Sequence, residues 1–222
     1  MARRRVLLLA WLPLMAPVAR AGAYEDFFKA IELDDDRTVA DLLRRGFDPN
    51  ARDPRRQSAI IVALDKDSRK VAAVLLASRK LKVEARNAKD ESALMMAALR
   101  GNLEAARTLI ARDADVNKTG WTPLHYAASS SADTAQAMVR LLLEHSAYID
   151  AGSPNGTTPL MMAAQYGEID VARLLLQEGA DPSIKNQLGL AAADFARKAQ
   201  RDGLVQDIVR ALQQQRPDKG QW

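Results

Sequence analysis

The sequence contains no cysteine. That excludes disulfides, thiolate nucleophiles and cysteine-based metal sites. It contains two histidines, His125 and His145, so a three-histidine metal centre is excluded as well. Aromatic residues make up only 5% of the chain, so each one that could anchor a binding face is worth locating. No G-x-S-x-G elbow, Walker glycine loop, H-E-x-x-H or glycine-rich dinucleotide fingerprint occurs. No catalytic residue, cofactor or metal is therefore expected.

Acidic residues are missing from the first 23 positions, which carry four arginines. Arg3, Arg4 and Arg5 precede an apolar run from Val6 to Val18, interrupted by Pro13 and Pro17. Ala19-Arg20-Ala21, or Ala21-Gly22-Ala23, offers small residues at cleavage spacing. This is the layout of a secretory signal peptide covering 1–21 or 1–23. Thirteen apolar positions are too few to cross about 30 Å of hydrocarbon at about 1.5 Å per residue. Removal of the segment also changes the charge. The whole chain has 32 basic and 28 acidic side chains, a net +4. Without its first 23 residues it is formally neutral, and the electrostatic case for nucleic acid disappears. The expectation is an exported, periplasmic protein, with no membrane insertion after cleavage.

What is present is a repeat. Thr122-Pro-Leu-His-Tyr-Ala-Ala128 returns as Thr158-Pro-Leu-Met-Met-Ala-Ala164. Weaker copies are Ser92-Ala-Leu-Met-Met-Ala-Ala98 and Ser58-Ala-Ile-Ile-Val-Ala-Leu64. The starts at 58, 92, 122 and 158 lie 34, 30 and 36 residues apart. Self-similarity at this period marks a stack of helix pairs.

The copy at 156–182 shows the local logic best. Asn155-Gly156 makes a turn, Thr158 caps a helix and Pro159 occupies its first position, where no N–H is needed. Ala163 and Ala164 let neighbouring helices approach. Gly167 is expected to end the first helix in the left-handed conformation. Val171, Leu174 and Leu175 form the buried face of a second helix. In the preceding unit the stretch Ser129–Thr134 is surplus, which predicts a longer loop with Ser130 free to vary. Residues 25–53 and 187–212 read as degenerate end units, which gives six helix pairs within 24–212. Residues 213–222 lack apolar periodicity and are expected to be disordered.

The T-P-L-H-x-A signature at this period resembles the ankyrin-repeat family, and the resemblance extends from about 25 to 212. It implies an all-α solenoid of helix-turn-helix units with projecting hairpin fingers. It also implies a non-catalytic module that binds a protein partner through finger tips and first helices. Small signal-bearing ankyrin proteins of Gram-negative bacteria look most similar. The expected function is that of a periplasmic adaptor acting as a monomer. An inhibitor that masks an exported enzyme, or a binder of cell-wall glycan, are the other readings.

The family's variable surface positions fall here on Arg55, Arg56, Gln57, Lys89, Asp90, Glu91, Thr119, Trp121, Pro154, Asn155 and Thr157. On the first helices they fall on Glu32, Leu33, Asp65, Lys66, Leu99, Arg100, Gln165 and Tyr166. Trp121, Tyr166 and Arg100 are expected to share one patch, since aromatics and arginine anchor interfaces. His125 is expected to brace the turn of its own unit and a neighbour. The pairs Met95-Met96 and Met161-Met162 read as gap-filling core. Asp34, Asp35 and Asp36 open a helix, where negative charge suits the dipole.

Overall fold

A computed structural model describes the backbone of residues 16–215. Twelve helices occur among them and fall into six antiparallel pairs. The first helices of the pairs are α1 (Ala16–Glu32), α3 (Ala59–Asp65), α5 (Ala93–Leu99), α7 (Pro123–Ala128), α9 (Pro159–Gln165) and α11 (Ala192–Lys198). Their partners are α2 (Asp36–Arg44), α4 (Arg69–Ala77), α6 (Leu103–Ile110), α8 (Ala135–Glu144), α10 (Ile169–Gln177) and α12 (Asp202–Gln215). First helices pack on first helices of adjacent pairs, and second helices on second helices, so the stack has an inner and an outer row. α12 carries three residues of the segment expected to lack order, and 216–222 lie outside the described residues.

The two rows differ because their burial differs. Inner helices after α1 are short and alanine-rich. Ala59–Leu64 and Ala93–Ala98 are buried at every position, as befits a helix covered by its own partner and by both neighbours. Outer helices keep one apolar stripe, such as Val171, Ala172, Leu174 and Leu175 on α10. One continuous core runs from Phe27 to Ile208.

Helix starts follow a common plan with changing chemistry. Ser92 and Thr158 accept from the N–H groups of Met95 and Met161. In return the N–H of each cap residue points at a side-chain acceptor three residues on. That acceptor is the Met95 sulfur, the His125 Nδ1, the Met161 sulfur or the Asp194 carboxylate. The methionines at 95 and 161 therefore fill core space and also close their helix ends. In the second pair the equivalent residue is Ile61, which cannot accept. There the buried Ser58 hydroxyl has no hydrogen-bond partner.

The turn between the two helices of a pair takes three residues in five of the pairs and six, 129–134, in the fourth. Its tight form uses a left-handed residue, found at Asp34, Asp67, Gly101 and Gln200. Asp67 thus keeps the backbone state of the glycine it replaces, as aspartate can.

Gly167 does not have the left-handed conformation expected of it. A Cβ there would lie 1.9 Å from the Ala128 carbonyl oxygen, so glycine is required by close approach of the neighbouring inner helix. Ser130 is likewise not a free loop position. It is buried, and its hydroxyl donates to the Leu99 carbonyl at 2.7 Å. The Thr134 hydroxyl, from the same loop, donates to the Gly101 carbonyl at 2.7 Å. The surplus residues of the fourth unit cap the helix end of the third.

The other units make similar ties. Ser68 donates to the Ile31 carbonyl, and Arg201 donates to the carbonyls of Ala163 and Gly167. Among the described residues, side-chain hydrogen bonds between units span 28 to 38 positions, about one repeat.

Candidate functional site

The segments ahead of the inner helices form a row of turns. Four of the five close by a backbone N–H donating four residues on, from Asp53 to Gln57, Asn87 to Glu91, Ser153 to Thr157 and Asn186 to Leu190; the turn at Gly120 does not. Isolated bridges, Arg52 with Ser58 and Arg86 with Ser92, give the first two a hairpin base. Each tip has one residue of positive φ: Arg56, Asp90, Gly120, Gly156 and Gly189.

The tips are tied sideways. Arg86 pairs with Asp115 and Glu84 at 3.0 and 3.1 Å, and Lys118 pairs with Asp90. The Lys118 bond, the largest influence, holds the Asp90 carboxyl below its ordinary pKa. Gln187 donates to the carbonyls of Asn155 and Pro154. The row therefore behaves as one edge rather than as separate loops.

A cavity of about 230 Å³ opens where the fourth turn meets the inner row. Leu99, Trp121, His125, Tyr126, Ser129 and Met162 line it, from three successive units. Trp121 is half-buried, edge-on to His125 with ring centres 5.2 Å apart. Tyr126 donates its hydroxyl to Glu91 at 2.9 Å. Burial first, and then the Glu91 carboxylate, push this phenol above its usual range, so it stays a neutral donor.

His125 beneath them is fully buried. Its Nδ1 faces the Thr122 N–H at 3.2 Å and its Nε2 faces the Thr157 carbonyl at 2.9 Å. A backbone N–H can only donate and a carbonyl only accept. The neutral tautomer with the proton on Nε2 is thereby fixed. Burial pushes the imidazole pKa below its ordinary value. As expected from the sequence, His125 braces its own unit and the next one.

The sequence-predicted surface residues separate into three groups. Leu99 and Trp121 line the cavity. Arg55, Arg56, Lys89, Asn155 and Tyr166 are exposed, with Tyr166 at 59%, while Gln57 and Gln165 are half-buried. The third group is already engaged. Arg100 pairs with Asp65 at 3.0 Å, and Glu91 accepts from Asn87 and Tyr126. Asn155 Oδ1 accepts within its own turn, from Ser153 and Thr157. Thr157 itself is buried and unavailable to a partner.

Arg100 and Tyr166, expected to share a patch with Trp121, do not line the cavity; Tyr126 and Met162 do. Tyr126 sits in the signature between His125 and Ala127, where Val62 and Met96 of the second and third units are buried and Tyr126 and Met162 are half-buried. Met162 is hidden in the sequence by its neighbour Met161, which is buried while Met162 is only partly so.

A two-row helical stack with a tied row of turns and a shallow apolar cavity is the architecture of a repeat-built solenoid. The sequence matches ankyrin repeats, in three copies, over residues 27–119, 80–150 and 116–186. The chain belongs to the ankyrin-repeat family. That family is in general a non-catalytic interaction fold.

Relatives include the nuclear factor NF-kappa-B p105 subunit of Gallus gallus, 33% identical over 154 residues. That alignment covers 67% of this chain and 16% of the relative. The B-cell lymphoma 3 protein homolog of Mus musculus is 32% identical over 160 residues, 67% of this chain and 35% of the relative. The human transient receptor potential cation channel subfamily A member 1 is 29% identical, over 68% of this chain and 14% of the relative. The chain thus spans only a minor part of these animal proteins. Among the described residues no helix is long and apolar enough to cross a membrane, and no cluster of metal-ligating side chains occurs.

Proposed function

We propose that this chain is an exported, monomeric adaptor. It binds a protein partner against the inner row and the turn tips of its third to fifth units. The observation that carries this reading is the cavity lined by Leu99, Trp121, Tyr126 and Met162. It is apolar, partly exposed and bordered by hydrogen-bonded side chains that hold its walls in place. A bulky partner side chain could be desolvated there, which is where interface energy concentrates. Export is supported by the basic, apolar and small-residue order of the first 23 positions. α1 runs through both candidate cleavage positions, so cleavage would leave a helix starting near Gly22 or Tyr24. Neither nucleic acid nor a cofactor has a role in this reading.

The test is affinity purification of the tagged chain from a periplasmic extract, with mass spectrometry of bound proteins and N-terminal sequencing of the bait. A single enriched protein is expected, retained by wild type and weakened by Trp121→Ala or Leu99→Ala. The energetic loss should be about 1–3 kcal/mol, as for interface anchors. An intact Met1 on cytosolic material would remove export. A partner indifferent to both substitutions would remove the site.

A further inference from the structure

The turn row is asymmetric in charge, and the asymmetry runs along the stack. The residue just ahead of each positive-φ position is, in order, Arg55, Lys89, Thr119, Asn155 and Leu188. Arg56 adds a second cation to the first of these tips. The carboxylates among these tips are all occupied. Asp53 accepts from the Gln57 N–H, Asp90 pairs with Arg86 and Lys118, and Glu91 accepts from Asn87 and Tyr126. Arg55, Arg56 and Lys89 are exposed, and no carboxylate among the described residues pairs with them. Beyond the cavity the tips carry no charge ahead of the turn. A gradient from unpaired cations to neutral residues therefore leads into the apolar cavity at Trp121.

This row points to one kind of occupant. We infer that the partner segment is an extended, acidic stretch with a bulky apolar anchor. The anchor enters the Trp121 cavity, and its carboxylates lie over Lys89 and then over Arg55 and Arg56. The inference rests on the adaptor reading and names the chemistry of its partner. Geometry adds a spacing. Packed helices sit about 8–10 Å apart, so successive turn tips do as well. An extended chain in the polyproline II form advances about 3.1 Å per residue and brings every third side chain to the same face. Acidic residues about three and six positions to one side of the anchor would reach the two cationic tips in register. Asp53 and Glu91 are half-buried whereas Arg55, Arg56 and Lys89 are exposed, and Asp90 is paired with Arg86 and Lys118, so the exposed face of these tips favours an acidic segment over a basic one.

A displayed library of tryptophan-free dodecapeptides, selected on the whole chain, tests this. Retained peptides should show a leucine-, phenylalanine- or methionine-sized anchor with aspartate or glutamate three and six positions away. The best of them, made synthetically, should shift the fluorescence of Trp121 in a Trp11→Phe/Trp222→Phe background, where it is the sole tryptophan. Arg55→Glu/Arg56→Glu/Lys89→Glu alters exposed side chains only. It should weaken that peptide at least tenfold and, in a repeated selection, turn the preference to lysine and arginine. Retained peptides without acidic bias, or unmoved by the charge reversal but lost in Leu99→Ala, would overturn the inference and leave the adaptor site standing. Peptides indifferent to Leu99→Ala and to charge reversal, or no retained peptide at all, would overturn both.

Discussion

Single side chains in this stack take their importance from the neighbouring unit more than from their own. Gly167 is the clearest case. Its φ is ordinary, yet a methyl group there would meet the Ala128 carbonyl oxygen at 1.9 Å. Gly167→Ala should destabilise the protein by about 1–3 kcal/mol through forced separation of α7 and α9. By contrast, Gly46→Ala meets no atom within 4 Å and carries only the cost of its positive φ. Urea melts of the two variants compare the effects, and a smaller loss at 167 than at 46 would contradict the close approach.

Ser130 and Ser58 make a second pair. Ser130→Val strands the Leu99 carbonyl and should cost about 1–3 kcal/mol. Ser58→Ala removes a buried hydroxyl that has no partner and should be neutral within about 0.5 kcal/mol, or stabilising. The sequence alone suggests a tolerant position at Ser130, because the stretch around it is irregular and serine-rich. Nothing local reveals that a carbonyl 31 positions upstream lies above it.

At the level of the element, the inner helices are too short to persist alone. α7 has six residues and is held by its cap, its partner α8 and the inner helices on either side. His125 is the side chain that joins α7 to the fifth turn. Its folded pKa lies below the ordinary value of about 6.5, so below that pH the unfolded chain binds a proton that the folded ring resists. Stability is then full above about pH 6.5 and falls as the pH drops toward the folded value. His125→Met copies the residue found at positions 95 and 161, where sulfur faces the cap N–H. It should cost about 1 kcal/mol at pH 8, from the bond to Thr157. It should also flatten the slope of stability between about pH 7.5 and 5.5. Denaturant midpoints across that range check both, and an unchanged slope would remove His125 as its source.

The six pairs, the cap at Thr158 and the longer loop at 129–134 are legible in the sequence because each rests on a periodic or local signal. The cavity is legible in part. Leu99 and Trp121 follow from their place in the repeat. Tyr126 and Met162 require knowing how far one inner helix leaves the next uncovered.

Among the described residues, no ion pair or side-chain hydrogen bond joins the two ends of the molecule. The core is continuous, and the ion pairs Arg86–Asp115, Arg100–Asp65, Lys118–Asp90, Arg140–Glu178 and Arg173–Asp207 pass from one unit to the next at separations close to one repeat. Net charge is small, so long-range repulsion adds little to this picture. Ser153 and Asn186 begin equivalent turns 33 positions apart. A tandem copy of residues 153–185 should therefore splice in without changing any register. The enlarged chain is expected to fold and to unfold with a steeper denaturant dependence, in proportion to the added buried surface. Loss of solubility, or an unchanged slope, would show that the end units recognise more than their neighbours.

Ties that reach one unit and no further also have a mechanical meaning. Such a stack resembles a coil spring, in which load is carried in series and every joint bears the whole force. Pulled from its two ends, the protein should yield one turn of the coil at a time, beginning at its weakest joint. The Thr134 and Ser130 hydrogen bonds fasten the joint between the third and fourth units from both sides of Leu99 and Gly101. A partner seated in the Trp121 cavity would then bridge the third, fourth and fifth coils and leave the outer ones free to flex.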